Sequence, residues 1–534
     1  IYTIGFNASS ALVNLSQIPL FVAPFLGGKH GYVKTYAAIK SAYGNTLLGG
    51  KRGGGTNSIL DFYDISDKGN FTLKKGLKLP EGKDVELRNM EALVQTASQR
   101  GLLGQGFLAE AMGLNEASRI KKSGTVGNAM DNASVLSAWL FNHAEQLNRQ
   151  VTLMASFNLA LDSITKGKVN NPSAAQIEEA VQMAIYDTQQ TNGGTFLETA
   201  PSIAREGIGR VAFMYKSYGL QMYYTMLKTA KTAFDSDKGK LFGPDGSPER
   251  KAAWKQLIGL HGSALFFAGV QGLPLYGAVK LIANLFFLDD EEEDWDTIVR
   301  QHIGEGWYKG AITQFAGIDV ASRMALTGLL IQENRFNNDP SLEETIGFYA
   351  GGPALSVANR LYRGGSDLLS SEGDIERGIE NILPAGVANA YKATFGRYAD
   401  QGGIYTRRND PIYDDMTGGE LVAQAFGFPP TEYTFRQEQN GISKRIDIAV
   451  GKRRSALHKK LYVAQTMGDF SAEREIYDEI DKFNARHPEA EINTKSIERS
   501  LKQHAKTSEE MYNGVTLSPL YRDALEMIRE GYKQ

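Results

Sequence analysis

The densest chemistry in the chain is a set of cations: Lys444, Arg445, Lys452, Arg453, Arg454, Lys459 and Lys460. They are interleaved with Ile446, Val450, Leu457, Leu461 and Ala464, whose three-and-four spacing marks the apolar face of a helix. Cations on such a helix can hold phosphate oxygens of DNA or of lipid head groups without reading a base sequence. Lys452, Arg453, Arg454, Lys459 and Lys460 are the candidate contacts, because their stems can cover apolar surface while their heads stay available. The nearby Glu473, Glu475, Asp478 and Glu479 offer the plainer alternative of charge pairing within the chain or an ordinary solvated face.

A second unusual stretch is Gly259–Leu288, in which Lys280 is the one residue fully charged at neutral pH. It exceeds the roughly 20 residues that cross a bilayer as a helix, and Asp289, Asp290, Glu291, Glu292, Glu293 and Asp294 follow it directly. An acidic run is costly to carry through lipid but solvates easily at the end of a buried hairpin. Two readings stand side by side: a pair of core helices broken near Gly272 and Pro274, or a hairpin that enters lipid conditionally. Phe266, Phe267, Leu273, Pro274, Leu285 and Phe286 are the candidate hairpin or membrane contacts. Gly262, Ala264, Ala268, Gly269, Gly272 and Gly277 would permit close helix approach in either setting.

Other chemistries lack their required patterns. Lys51 lies in a glycine-rich loop, Gly49–Thr56, but Arg52 follows it where a phosphate loop needs Ser or Thr, and no strand precedes it. His143 and Glu145 are two apart and diverge on a helix, and the remaining histidines have no metal-ligand spacing. Asp414 with Asp415, and Glu509 with Glu510, are carboxylate pairs without unequal surroundings to divide acid from base. Gly207-Ile208-Gly209 is an incomplete dinucleotide fingerprint. The absence of cysteine in 534 residues removes disulfides and thiol nucleophiles. No catalytic residue, metal or cofactor is expected.

The elements that must carry these segments are helical. A hydrophobic fraction of 42% and a net charge of -3 suit an ordered protein without a global field for nucleic acid. Numbering from Ile1 without a methionine reads as the ordered part of something longer. Pro19 and Pro24 should divide the apolar opening stretch into a short docked helix, and another helix should span 34–48. Leu140, Ala144, Leu147, Val151, Met154, Phe157 and Leu161 define a long amphipathic helix, with Glu145 and Arg149 as a flank pair. Further helices are expected at 174–188, 203–233, 249–288, 296–316, 320–333, 341–362 and 373–398, with no sustained period in 57–84 and turn chemistry in 402–427. Beyond Pro429-Pro430, segments near 442–467, 471–486, 495–508 and 518–531 suggest four charged amphipathic helices. The fold expected is all-α: an extended multi-helix body with glycine-broken helices and a small C-terminal helical unit. Its expected divisions are 1–240, 241–430 and 431–534.

Several segments together resemble the helical C-terminal parts of internal virion, or DNA-ejection, proteins of short-tailed bacteriophages and related phage polyvalent proteins. They are Asn7–Leu20, Ala144–Arg149, Phe213–Leu220, and Gly272–Leu275 ahead of Asp289–Trp295. Gly317–Arg323, Ile382–Asn389 and Phe426-Gly427-Phe428 continue the order across roughly the first 430 residues. The resemblance implies a structural role around the portal axis inside the virion, then assistance to genome ejection across the host envelope. The partners it implies are further copies of the chain, other internal virion proteins, the portal complex, DNA contacted without sequence preference, and, conditionally, the host inner membrane. Some relatives carry a muramidase-like domain, whose catalytic pattern is not matched in this chain. A helical tether of a delivered polyvalent effector, and a static portal or capsid scaffold, are the competing expectations.

Overall fold

A computed structural model of the chain describes residues 8–52, 59–66, 70–77, 79–103, 125–192, 217–238, 240, 246–277, 279–280, 283, 295–326, 357–370, 373–406 and 408–512. The fold is all-α, a body of many bent helices with small C-terminal helices; two short antiparallel hairpins are the strands among the described residues. By contacts it divides into two units, Ile1–Ile282 with Val299–Gln437, and Ala283–Ile298 with Glu438–Gln534.

The first unit begins with α1 (Ala8–Leu15), α2 (Ala23–His30) and α3 (Tyr32–Arg52). As expected, the stretch holding Pro19 and Pro24 is not one uninterrupted α-helix: α1 ends at Leu15 and α2 starts at Ala23. The wide π turn Ile18–Val22 lets the backbone pass Pro19, so the helical run continues from Ala8 to His30. Among the described residues this run alone is long and apolar enough to cross a membrane, yet 67% of its apolar 18-residue stretch is buried inside the protein. Val22 and Leu26 are fully enclosed, so this run is part of the core. Gly49 and Gly50 do not end α3, which continues to Arg52.

A β1–β2 hairpin (Tyr63–Ile65, Phe71–Leu73) lies where no period was evident and pairs Tyr63 with Leu73. α4 (Lys83–Asn89) and α5 (Glu91–Gln99) follow it. The long α6 (Thr125–Ile164) carries the expected stripe: Val151, Met154, Phe157 and Leu161 are buried, while Leu140 faces outward. α7 (Ala174–Asn192) starts where Ser173 and Gln176 exchange hydrogen bonds, a reciprocal cap after the Asn171-Pro172 break. α2, α3, α5, α6 and α7 close over one core containing Phe62, Met90, Leu93 and Phe157. Each such enclosed large side chain contributes about 1.5–3 kcal/mol relative to exposure.

A second core joins Phe21 to Met222, Tyr223 and Met226 of α8 (Ser217–Phe234) and to Leu257 and Leu260 of α9 (Pro248–Ala268). Ser247 caps α9 by accepting from the Arg250 amide at 3.3 Å, with Pro248 at the first helical position. Glycine and proline subdivide the later helices more finely than periodicity suggested. The 249–288 helix ends at Ala268, and 296–316 becomes α10 (Trp295–Ile303), α11 (Glu305–Lys309) and α12 (Ala311–Ala316), parted at Gly304 and Gly310. After α13 (Ala321–Met324) and α14 (357–369), the 373–398 segment is α15 (Ile375–Ile382), α16 (Ala385–Thr394) and α17 (Arg397–Gln401). The β3–β4 hairpin (Ile404–Tyr405, Pro411–Tyr413) and α18 (Gly418–Ala425), started by a Thr417–Glu420 capping box, complete this part.

In the second unit, Val450, Leu457, Leu461 and Ala464 of α19 (Thr431–Met467) form a core with Ile476, Ile480 and Phe483 of α20 (Phe470–Arg486) and with Ile492. Ile497 of α21 (Thr494–Tyr512) rests on this core. Asp469 caps α20 through the Ser471 and Ala472 amides at 3.1 and 3.0 Å. Asn484 fastens the turn by accepting from the Ile492 amide at 2.7 Å and donating to its carbonyl at 3.1 Å. The 518–531 expectation lies outside the described residues, as do 327–333 of the expected 320–333 helix and 341–356 of the expected 341–362 helix.

Candidate functional site

Four of the segments that carry the family resemblance meet along α1. Ser9 donates its amide to the Phe426 carbonyl at 2.9 Å, joining the first segment to the Phe426-Gly427-Phe428 turn. Immediately beyond that turn, the Asp319 amide donates to the Pro429 carbonyl at 2.9 Å and the Thr431 amide to the Gly317 carbonyl at 3.0 Å. On the other side, Asn148 of α6 donates to the Asn14 carbonyl at 2.6 Å. Gln17 reaches the Thr191 carbonyl at 2.7 Å, adding α7 to the seam. Glu145 and Arg149, expected as a pair on a helix flank, are a buried ion pair beside Asn148. Sequence spacing placed them one turn apart but could not show that the tertiary fold buries them.

The apolar segment is organised by a backbone crossing. α9 ends at Gly269 (φ 69°, ψ −166°), which packs on the Tyr308–Gly310 backbone; Gly310 has φ 86° and ψ 158°. Only glycine commonly adopts either conformation. Tyr276 meets Tyr308 edge to face at 6.3 Å, and the Arg300 guanidinium lies 4.2 Å from the Tyr308 ring centroid. The expected break is therefore at Gly269, ahead of Gly272. Phe266 is 55% exposed and edge-on to the half-buried Phe267; Leu273 is half-buried and Pro274 is buried. Trp307 and Phe315, on the following short helices, are 66% and 89% exposed. Leu285, Phe286 and the acidic run lie outside the described residues.

On α19 the five candidate cations differ in their surroundings. Lys452, Lys459 and Lys460 are exposed, whereas Arg453 and Arg454 are half-buried. Arg454 donates to the Glu491 carbonyl at 3.3 Å, and Lys460 pairs with Glu479 at 3.1 Å. Lys460 thus has a carboxylate partner of the charge-pairing alternative, Arg454 bonds a backbone carbonyl, and Lys459 is exposed.

No known family, curated protein or solved structure matches this chain. The surfaces above are its functional candidates. Among the described residues, no cluster of three or more His, Asp or Glu side chains is arranged to hold a metal ion.

Sequence reasoning missed one charged cluster. Glu380 of α15, with its side chain 4% exposed, receives both Nε and Nη2 of Arg397, at 3.0 and 2.5 Å, and has Lys392 at 3.8 Å. Arg360 donates to the Glu380 and Leu383 carbonyls at 3.1 and 3.3 Å, and Arg377 to the Tyr405 carbonyl at 3.1 Å. Burial pushes the Lys392 ammonium below its ordinary range; Glu380 opposes this, and Arg360, Arg397 and Arg377 add to it. Because its groups bond helix ends and carbonyls, the cluster staples α14 through α17 together. The charged residues Arg360, Arg377, Glu380, Lys392 and Arg397 lie 3 to 37 positions apart in sequence, too irregularly spaced to form a motif.

Proposed function

We propose that this chain is the helical part of an internal virion protein of a short-tailed bacteriophage. It assembles around the portal axis with copies of itself and with other internal virion proteins, and assists genome passage across the host envelope. What carries the reading is the convergence on α1 of Asn7–Leu20, Ala144–Arg149, Gly317–Arg323 and Phe426-Gly427-Phe428. Ser9 bonds to Phe426 and Asn148 to Asn14, and Gly317 and Asp319 bond to the residues just beyond Phe428, an arrangement that suits parts of one framework. The outward Phe266, Trp307 and Phe315 suit a protein that is shielded in the particle and meets lipid later. The cations of α19 suit a path followed by DNA. A map of the intact particle tests the proposal: density for this chain encircling the portal axis is the expected result, and a place in the capsid shell overturns it. Following the chain after infection separates an envelope component from a tether released into the cytoplasm.

A further inference from the structure

The second unit contains a buried histidine with an unfilled bonding position. His458 is 8% exposed on the inner side of α19, and its Nδ1 is enclosed without a hydrogen-bond partner. One turn before it stands Arg454, whose Nη2 is committed to the Glu491 carbonyl at 3.3 Å. One turn after it stands Tyr462, on whose ring His504 of α21 stacks, with centroids 5.6 Å apart and planes 27° apart. The groups that act on His458 electrostatically are Arg454 from its own helix and His504 from α21. α20 presents Ile476, Ile480 and Phe483 to the core they share. Among the described residues no carboxylate contributes to the field at His458, so a proton there would meet two cationic or cation-forming neighbours and no counter-charge.

We propose that His458, with His504, is an acid-sensitive latch that keeps α21 against α19 at neutral pH and lets it detach in mildly acidic surroundings. The sign follows from the burial and neighbours. Burial first, then Arg454 and His504, lower the His458 affinity for protons from its ordinary 6.5. The detached state takes up the proton more readily, so the closed state is favoured above the ordinary value and loses ground as pH falls below it. Detachment would uncover Ile497 and the α19 face around Leu457 and Leu461 as an apolar surface.

Hydrogen exchange read by mass spectrometry on the full chain tests this at about pH 7.5 and about pH 5.5, after correction for the intrinsic pH dependence of exchange. Protection of the 494–507 amides should fall several-fold in the wild type, with about tenfold as the ceiling for one histidine that titrates at its ordinary value when detached, and clearly less in His458→Gln. Equal protection at both pH values in the wild type overturns the proposal, as does an undiminished acid loss in His458→Gln. If His458→Gln is unprotected at neutral pH, His504→Gln decides: a reduced acid response supports the latch, and an unchanged one overturns it.

Discussion

Gly269 and Gly310 meet backbone to backbone, so that a Cβ on Gly310 would lie 2.5 Å from the Gly269 nitrogen and 3.0 Å from Ala268. Both residues have positive φ with extended ψ, and the two restrictions coincide at the junction of α9, α11 and α12. Gly310→Ala should therefore cost about 1–3 kcal/mol of backbone strain before the clash is added. The denaturation midpoint should fall for Gly310→Ala and for Gly269→Ala. Substitution at Gly262, where a Cβ meets nothing within 4 Å, is the control.

The Glu380–Arg397 pair should behave as a buried ion pair whose halves cannot be removed separately. Glu380→Ala leaves Arg397 and Lys392 facing each other without their shared anion, and a loss of about 3–5 kcal/mol is expected. Equilibrium denaturation measures it. The double variant Glu380→Leu/Arg397→Met should recover part of that loss, because it removes the stranded charge together with the pair.

Glu86 supplies a pH dependence of its own. Burial raises its carboxyl, but Lys83, by hydrogen bond and charge, and then Asn158 and Asn45 outweigh it and hold the group below its ordinary 4.5. A lowered folded value means that its stabilisation is complete above the ordinary value and disappears as pH falls through the folded one. In denaturation measured from neutral to about pH 3, Glu86→Gln should flatten the acid limb of the stability curve. An acid limb identical to the wild type would remove Glu86 from the account.

How much of this was legible in sequence depended on whether the cause was local. The stripe from Val151 to Leu161, the Ser247-Pro248 start of α9 and the apolar face of α19 are periodic or capping signals, and each appears where the residues put it. Pro19 marked an interruption of the α-helix, whereas the π turn that carries the backbone past it has no local mark. The Glu145–Arg149 pair was visible as a spacing, while its burial is set by the tertiary fold and has no local mark. Arg454 and Lys460 belonged to a readable basic helix, but their partners Glu491 and Glu479 lie beyond one or two turns of chain reversal.

The exposure of Phe266 separates a folding role from a surface role. At 55% exposure, Phe266→Ser should move the denaturation midpoint little, as should Trp307→Ser at 66%. If these faces enter lipid, the same variants should reduce binding to anionic liposomes. Depth-sensitive fluorophores placed near residue 266 should sense the acyl region in the wild type. Labels that remain water-accessible under conditions that form the envelope channel would leave the segment as a core hairpin.

The basic helix yields the last prediction because its cations are unequal. Lys459 is exposed, whereas its neighbour Lys460 is held 3.1 Å from Glu479 and Arg454 donates to the Glu491 carbonyl. If α19 lies against DNA, Lys459→Gln should weaken duplexes of unrelated sequence about equally and lower the salt slope of binding by about one. Lys452→Gln, also at an exposed position, should add to that loss. Lys460→Gln should do less, since part of its charge is already answered by Glu479, and Arg454→Gln should show chiefly as lost stability of the second unit. Fluorescence anisotropy over a salt series, with denaturation of each variant alongside, measures both quantities. A loss confined to anionic vesicles would assign the surface to lipid head groups. Binding left unchanged by Lys452→Gln and Lys459→Gln together, with the fold intact, would return the helix to ordinary charged surface.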